Sequence, residues 1–197
     1  MNTQTHILRT LGLLLFLSLL PGCVVTRTTE VSYAPQTIEE LKRVGPCSIH
    51  VEVLDGRPAG EQTWVGSFNK VRFVTRPETL QLVRESVISG LQHNGLQVVP
   101  DPTAAEVLLR IRLTRFWHEL KDHGATLEKL MWVNAEAEVR RTGKEGDPLR
   151  IPVNGLYSRT FPILALGTVQ GGFEAALADA INQLLIDQRF IKALAVR

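Results

Sequence analysis

The chain has 197 residues, with 22 Lys+Arg against 20 Asp+Glu, a formal net charge of +2, 44% hydrophobic content and two cysteines. So small a positive excess, with no basic stripe or base-stacking motif beside it, argues against a nucleic-acid binder. Two cysteines cannot make a disulfide scaffold or a four-ligand structural zinc site. The length suits one domain, and roughly 150 residues bury about two thirds of the unfolded chain's surface without staples.

The apolar content is concentrated at the N-terminus. Arg9 precedes an uncharged run over residues 11–20. Ten residues fall well short of the roughly 20 needed to cross hydrocarbon, so the run reads as the hydrophobic region of an export signal. It ends in Leu20-Pro21-Gly22-Cys23. This resembles the lipobox of bacterial lipoproteins, where the signal is cut before a cysteine that carries diacylglycerol and an acylated amine. An ordinary secretory signal with a chance cysteine is the alternative. The resemblance implies a signal peptide over 1–22, cleavage between Gly22 and Cys23, and lipidation of Cys23. Loss of the signal, whose one charged side chain is Arg9, leaves 175 residues with 21 Lys+Arg and 20 Asp+Glu, a net charge of +1. Three acyl chains, at about 0.8 kcal/mol per buried CH₂, hold a bilayer far more firmly than one. Val24 follows the cysteine in place of the Asp that retains enteric lipoproteins at the inner membrane, so the sorting resemblance implies the outer membrane.

Residues 23–45 are expected to be a lipidated N-terminus and flexible tether spanning about 25 Å, and 46–197 a single globular domain. Alternation over 48–54 predicts a strand with one buried face, broken by the turn Asp55-Gly56-Arg57-Pro58. After a loop holding Trp64, an extended piece is expected over 70–74. Thr75 and Glu78 form a capping-box pattern before Leu80, Val83, Val87, Ile88 and Leu91, a helix ending at Asn94-Gly95. A short strand over 96–99 leads to two alternating segments, 106–117 and 130–140, predicted as a long hairpin. Its outer residues are basic on the first strand (Arg110, Arg112) and acidic on the second (Glu136, Glu138), a pattern suited to cross-strand pairing. A strand over 149–157 sits at an edge because of Pro152, and an amphipathic helix over 173–195 closes the chain. The expected fold is α+β: a two-layer sandwich with a four- to five-stranded mixed or antiparallel sheet and two helices on one face.

Little in the pattern points to chemistry. His118-Glu-Leu-Lys-Asp-His123 is one residue too long for the zinc-protease motif and reads as loop histidines at a sheet end, so no metal ligand is assigned. Gly167-Thr-Val-Gln-Gly-Gly172 lacks the Lys-Ser/Thr of a P-loop and reads as a flexible lead into the last helix. No Gly-x-Ser-x-Gly occurs. Asp55 and Arg57 are placed to close a loop by an ion pair, and Cys47 reads as a buried small residue or an intermolecular partner. No catalytic residue and no cofactor are expected. Trp64, Phe116, Trp117 and Trp132 are the candidate partner-binding residues, with packing at the sheet end as the alternative.

The lipobox, Asp55-Gly-Arg57, Leu91-Gln-His-Asn-Gly-Leu-Gln-Val98, Phe116-Trp117, Gly172-Phe-Glu-Ala-Ala and Ile181-Asn182-Gln-Leu-Leu-Ile-Asp187 together resemble the YajG-type family of bacterial lipoproteins. The likeness covers most of residues 48–195, and the chain departs from it in its loops, especially 116–126. It implies location and fold, and carries no catalytic motif. The expected function is a non-enzymatic binding or assembly module of the envelope, held to the outer membrane through Cys23 and facing the periplasm, that binds an envelope protein partner or a peptidoglycan-associated assembly. The alternatives are an auxiliary component of lipid or lipopolysaccharide transport that takes acyl chains in a groove beside the last helix and, last, a hydrolase using His118 or His123 beside Asp122.

Overall fold

A computed structural model describes residues 24–68, 71–162 and 169–195. The expected signal over 1–22 and the lipidation site Cys23 lie outside the described residues.

The frame is a three-stranded antiparallel meander of long strands, β6 (Val107–Asp122), β7 (Thr126–Arg141) and β8 (Leu149–Pro162). The outer edge of β6 is shared by two groups. Its first half pairs in parallel with β2 (Ser48–Asp55), which carries the short β5 (Gln97–Val98). Its second half meets β3 (Gly66–Phe68), which forms a hairpin with β4 (Val71–Arg76). Beyond β4 lies β1 (Val25–Glu30), paired in parallel. The result is an eight-stranded mixed sheet curled into a half-barrel, where four or five strands were expected. The α+β class holds.

Beyond the one-turn helix α2 (Ala59–Gln62), helix α3 (Thr79–His93) packs on β2, and α4 (Gln170–Ile186) crosses β7 and β8. Leu82, Val83, Val87 and Leu91 from α3 and Phe173, Leu177, Ile181, Leu184 and Leu185 from α4 fill one core with the inward residues of the sheet. Glu78, rather than Thr75, caps α3, accepting from the Gln81 amide. Gly95 ends it at φ +85°, as its left-handed requirement predicts. The last helix breaks at Asp187, whose carboxylate accepts from the Arg189 and Phe190 amides and so starts α5 (Gln188–Ala195). Asp187 is extended, with ψ 120°. A side chain able to cap overrode a continuous apolar period.

Residues 25–45 do not behave as a tether. After β1, Val31, Ile38 and Leu41 are buried in the common core, Leu41 within the single turn α1 (Glu39–Lys42). Asn94, 1% exposed, holds this segment down: its Oδ1 accepts from the Ile38 amide at 2.7 Å, and its Nδ2 donates to Gln36 O and Gly90 O. The Ser32 amide and hydroxyl donate to Glu174 on α4. Val31, Ile38 and Leu41 are three apolar side chains spread over eleven positions without a period, which is why the composition reads as a linker.

The register of β6 changes at Thr114. Leu113 pairs with Ala135 and Arg115 with Asn134, leaving Thr114 as the extra residue of a β-bulge, its hydroxyl donating to Asn134 O at 3.0 Å. A bulge moves every later side chain to the other face. Before it Val107, Leu109, Ile111 and Leu113 are buried; after it Phe116 and His118 are. The bulge also marks where β2 leaves. The Gly56 amide donates to Leu113 O, and Arg57, 3% exposed, closes the Asp55-Gly56-Arg57 turn with two guanidinium bonds to the Asp55 carboxylate at 2.9 and 2.8 Å. That arginine, first among the causes, holds the Asp55 carboxyl below its ordinary range.

Candidate functional site

The outer face of the meander has no element packed upon it among the described residues, because both long helices lie inside the curl. Register places Trp117 opposite Trp132, and Trp132 opposite Leu156, so one row crosses all three strands. The two tryptophans are half-buried, and Leu156 is 54% exposed. The Arg115 guanidinium sits 4.0 Å from the centroid of the Trp132 ring, a cation–π arrangement that holds the indole against the sheet. Leu156 belongs to the edge strand, and its amide donates to Asp179 Oδ2 from α4, so the edge that could template another strand is partly closed.

Farther along the same face the expected basic and acidic rows stand opposite each other, Arg110 to Glu138 and Arg112 to Glu136. The ion pairs themselves run sideways: Arg110 bonds Glu52 on β2 at 2.7 Å, and Arg150 on β8 reaches both Glu136 and Glu138. These are exposed pairs of small net effect. The face therefore has two zones, an ionic one beside β2 and an aromatic one beyond the bulge.

The four aromatic candidates separate. Trp117 and Trp132 meet on the open face. Phe116 is the correction: it is fully buried, stacked on Phe173 at 4.8 Å, because the Thr114 bulge turns it inward. Trp64 lies away from the row, in the lead into β3, with the Arg72 guanidinium 4.0 Å from its ring centroid.

The histidines do not form a site. His118 is a strand residue, 1% exposed, with the Phe73 ring edge-on at 5.3 Å and Phe173 at 6.3 Å; neither ring nitrogen has a hydrogen-bond partner among the described residues. Burial first, and the Lys129 ammonium second, push its pKa from 6.5 down to about 4. His123 is at the exposed β6–β7 tip, 3.3 Å from Glu128, and Asp122 accepts from the Gly124 amide. The expectation of two loop histidines at a sheet end is corrected for His118, which lies within β6 because the strands run on to Asp122 and from Thr126, and which the bulge turns inward. Among the described residues no three His, Cys, Asp or Glu side chains converge as a metal ion would require.

Beside the C-terminal helix a cavity of about 470 Å³ is lined by Cys47, Ser48, Glu106, Arg141 and Leu194, among others. Its walls mix charges with apolar groups, and Arg141 spends Nη1 on the carbonyls of Ala193 and Leu194. Cys47 is buried, and burial, then Glu106, pushes its thiol up to about 11. A thiol so held is neutral and unreactive.

No described helix is long and apolar enough to cross a membrane. No protein-family model matches the chain, and no curated protein matches it in sequence. The fold does match solved structures. Protein XCC0632 from Xanthomonas campestris, of the DUF330 family, superposes with a TM-score of 0.51 at 10% identity, over 87% of this chain and 96% of that one. Lipoprotein GNA1162 from Neisseria meningitidis gives 0.38 at 14% identity, over 70% of this chain and 97% of that one. A minor lipoprotein from Acinetobacter baumannii gives 0.37 at 14%, over 75% and 90%. At these identities the first likeness shows a shared fold.

Proposed function

We propose that the chain is a non-catalytic lipoprotein of the YajG-type kind, anchored to the outer membrane through acylated Cys23, whose periplasmic domain binds an envelope protein with the open face of β6, β7 and β8. Acylation follows the lipobox chemistry. The Cys23 thiol takes a diacylglyceryl group from a phospholipid, the Gly22–Cys23 peptide bond is hydrolysed, and the freed amine is acylated by a second phospholipid. The observation that carries the binding reading is the Trp117–Trp132–Leu156 row. Two large, stiff aromatics and an aliphatic on an open sheet face, flanked by Arg115, Asn134 and Asn154 on one side and by Glu119, buried Leu130 and Ser158 on the other, have the composition of an interface centre. Catalysis has no comparable support: His118 is locked in the core, Asp122 and His123 stand at an exposed tip, and Asp55 is neutralised by Arg57.

Site-specific photo-crosslinking in cells tests this. A photoreactive residue at Leu156 is expected to capture a discrete protein adduct that the same residue at Glu145, in the distant β7–β8 turn, does not. Identical patterns from the two positions, or adducts at Glu145 alone, contradict the reading.

A further inference from the structure

The absence of a tether fixes how the domain meets the membrane. We infer that the end of the sheet where β1 begins rests directly on the phospholipid surface. This rests on the anchor proposed above. Only Val24 stands between Cys23 and β1, and at no more than about 3.6 Å per residue Val25 lies within roughly 7 Å of the acylated cysteine. Strand pairing then determines what else shares that level. Val25 pairs with Val71, Val71 with Phe68, and Gly66, two residues before Phe68, with His118, so Val25 is level with the region of Leu120 near the β6–β7 tip. The start of β1, the end of β3, the start of β4 and the β6–β7 tip therefore form one end of the described structure.

That end has the chemistry of a bilayer boundary. Val24 and Val25 are 47% and 52% exposed, adjacent apolar side chains where a solvated strand would carry polar ones. One or two residues farther up the strands come Arg27 and Arg72, at the height of headgroup phosphates, with half-buried Trp64 against Arg72. Aliphatic, then tryptophan and arginine, is the order in which side chains settle at a membrane interface. The opposite end, with the β7–β8 turn and the Cys47 cavity, stands about 50 Å away along β6, fifteen residue steps at about 3.3 Å.

The acylated full chain, purified from membranes and reconstituted in phosphatidylethanolamine–phosphatidylglycerol vesicles, tests the seating. Single fluorophores are attached at Ala125→Cys, at the near tip, and at Glu145→Cys, at the far turn; buried Cys47 and acylated Cys23 do not label. Quenching by headgroup-bound quencher lipids is expected to be at least about fivefold greater at the near probe, given the separation along β6. Equal quenching of the two probes on protein that floats with the vesicles and carries the acyl mass on Cys23 overturns the seating alone. Protein that lacks the acyl mass and fails to float overturns the anchor and the seating together.

Discussion

The two faces of the long meander are built from alternate residues of the same strands, yet they answer to different physics. The inner face is a sealed contact in which geometry decides. Gly155 shows how tight it is: a Cβ there would collide with the Ala176 carbonyl and come within 2.8 Å of Ala180, so α4 lies directly on the backbone of β8. The outer face tolerates change, and its ion pairs and tryptophans contribute little to holding the fold. A single residue, Thr114, assigns side chains to one face or the other over the second half of β6. Stability is therefore concentrated inside and the proposed recognition outside, and the bulge is what keeps them apart.

Removing the bulge should have the largest effect. Inserting one alanine between Asn134 and Ala135 gives Thr114 a partner and restores strict alternation, which drives Phe116 and His118 outward while turning Arg115 and Trp117 into the core, a register error that no repacking absorbs. The expected result is loss of cooperative unfolding in circular dichroism; a native-like melt would show that the bulge does not set the faces. A paired substitution sharpens the contrast. Phe116→Ala should cost about 3–5 kcal/mol, the price of a cavity under Phe173, while Trp117→Ala, one residue away, should cost about 1 kcal/mol or less. Urea denaturation of the two variants checks this, and equal losses would erase the distinction between faces.

Phe116 and Trp117 also show what could be read in the sequence and what could not. The period-two pattern of 130–140, the helix after Glu78, its Gly95 stop and the Asp55–Arg57 closure are all local, and each appears in the fold; that of 106–117 appears only as far as Leu113. The bulge is not local: it exists because β2 must leave β6 at Asp55 and β3 must join at His118, and nothing in Leu113-Thr114-Arg115 announces that exchange. β1 escaped for the same reason. Its Val25-Thr-Arg-Thr-Thr-Glu30 has no buried stripe, with Thr29 alone buried, and becomes a strand by pairing with β4. Of the candidate site, the tryptophan pair was legible as aromatic content near the hairpin; the contribution of Leu156 was not, since only register brings it beside Trp132.

Acid should weaken the inner face through His118. In the folded chain its pKa is about 4, against 6.5 when exposed. Between those values the unfolded chain binds a proton that the folded chain refuses, so stability falls as pH drops from about 6.5 towards 4 and levels off below. The loss amounts to about 3 kcal/mol. Denaturation midpoints of wild type and His118→Phe across that range test this: the wild type should lose ground and the variant should be flatter. Parallel curves would remove His118 as the cause. On the outer face the smallest effect is expected. Arg115→Leu should cost about 0.5–1 kcal/mol through loss of the cation–π contact with Trp132, without moving the core, and a larger loss in thermal unfolding would mean that Arg115 is structural.

The proposed anchor at Cys23 is tested most directly by metabolic labelling with palmitate followed by membrane fractionation. Wild-type protein should take up label and sediment with the outer membrane, while Cys23→Ser should take up none and leave that fraction. A Cys23→Ser chain that is still labelled, or that remains with the outer membrane unlabelled, would contradict the anchor.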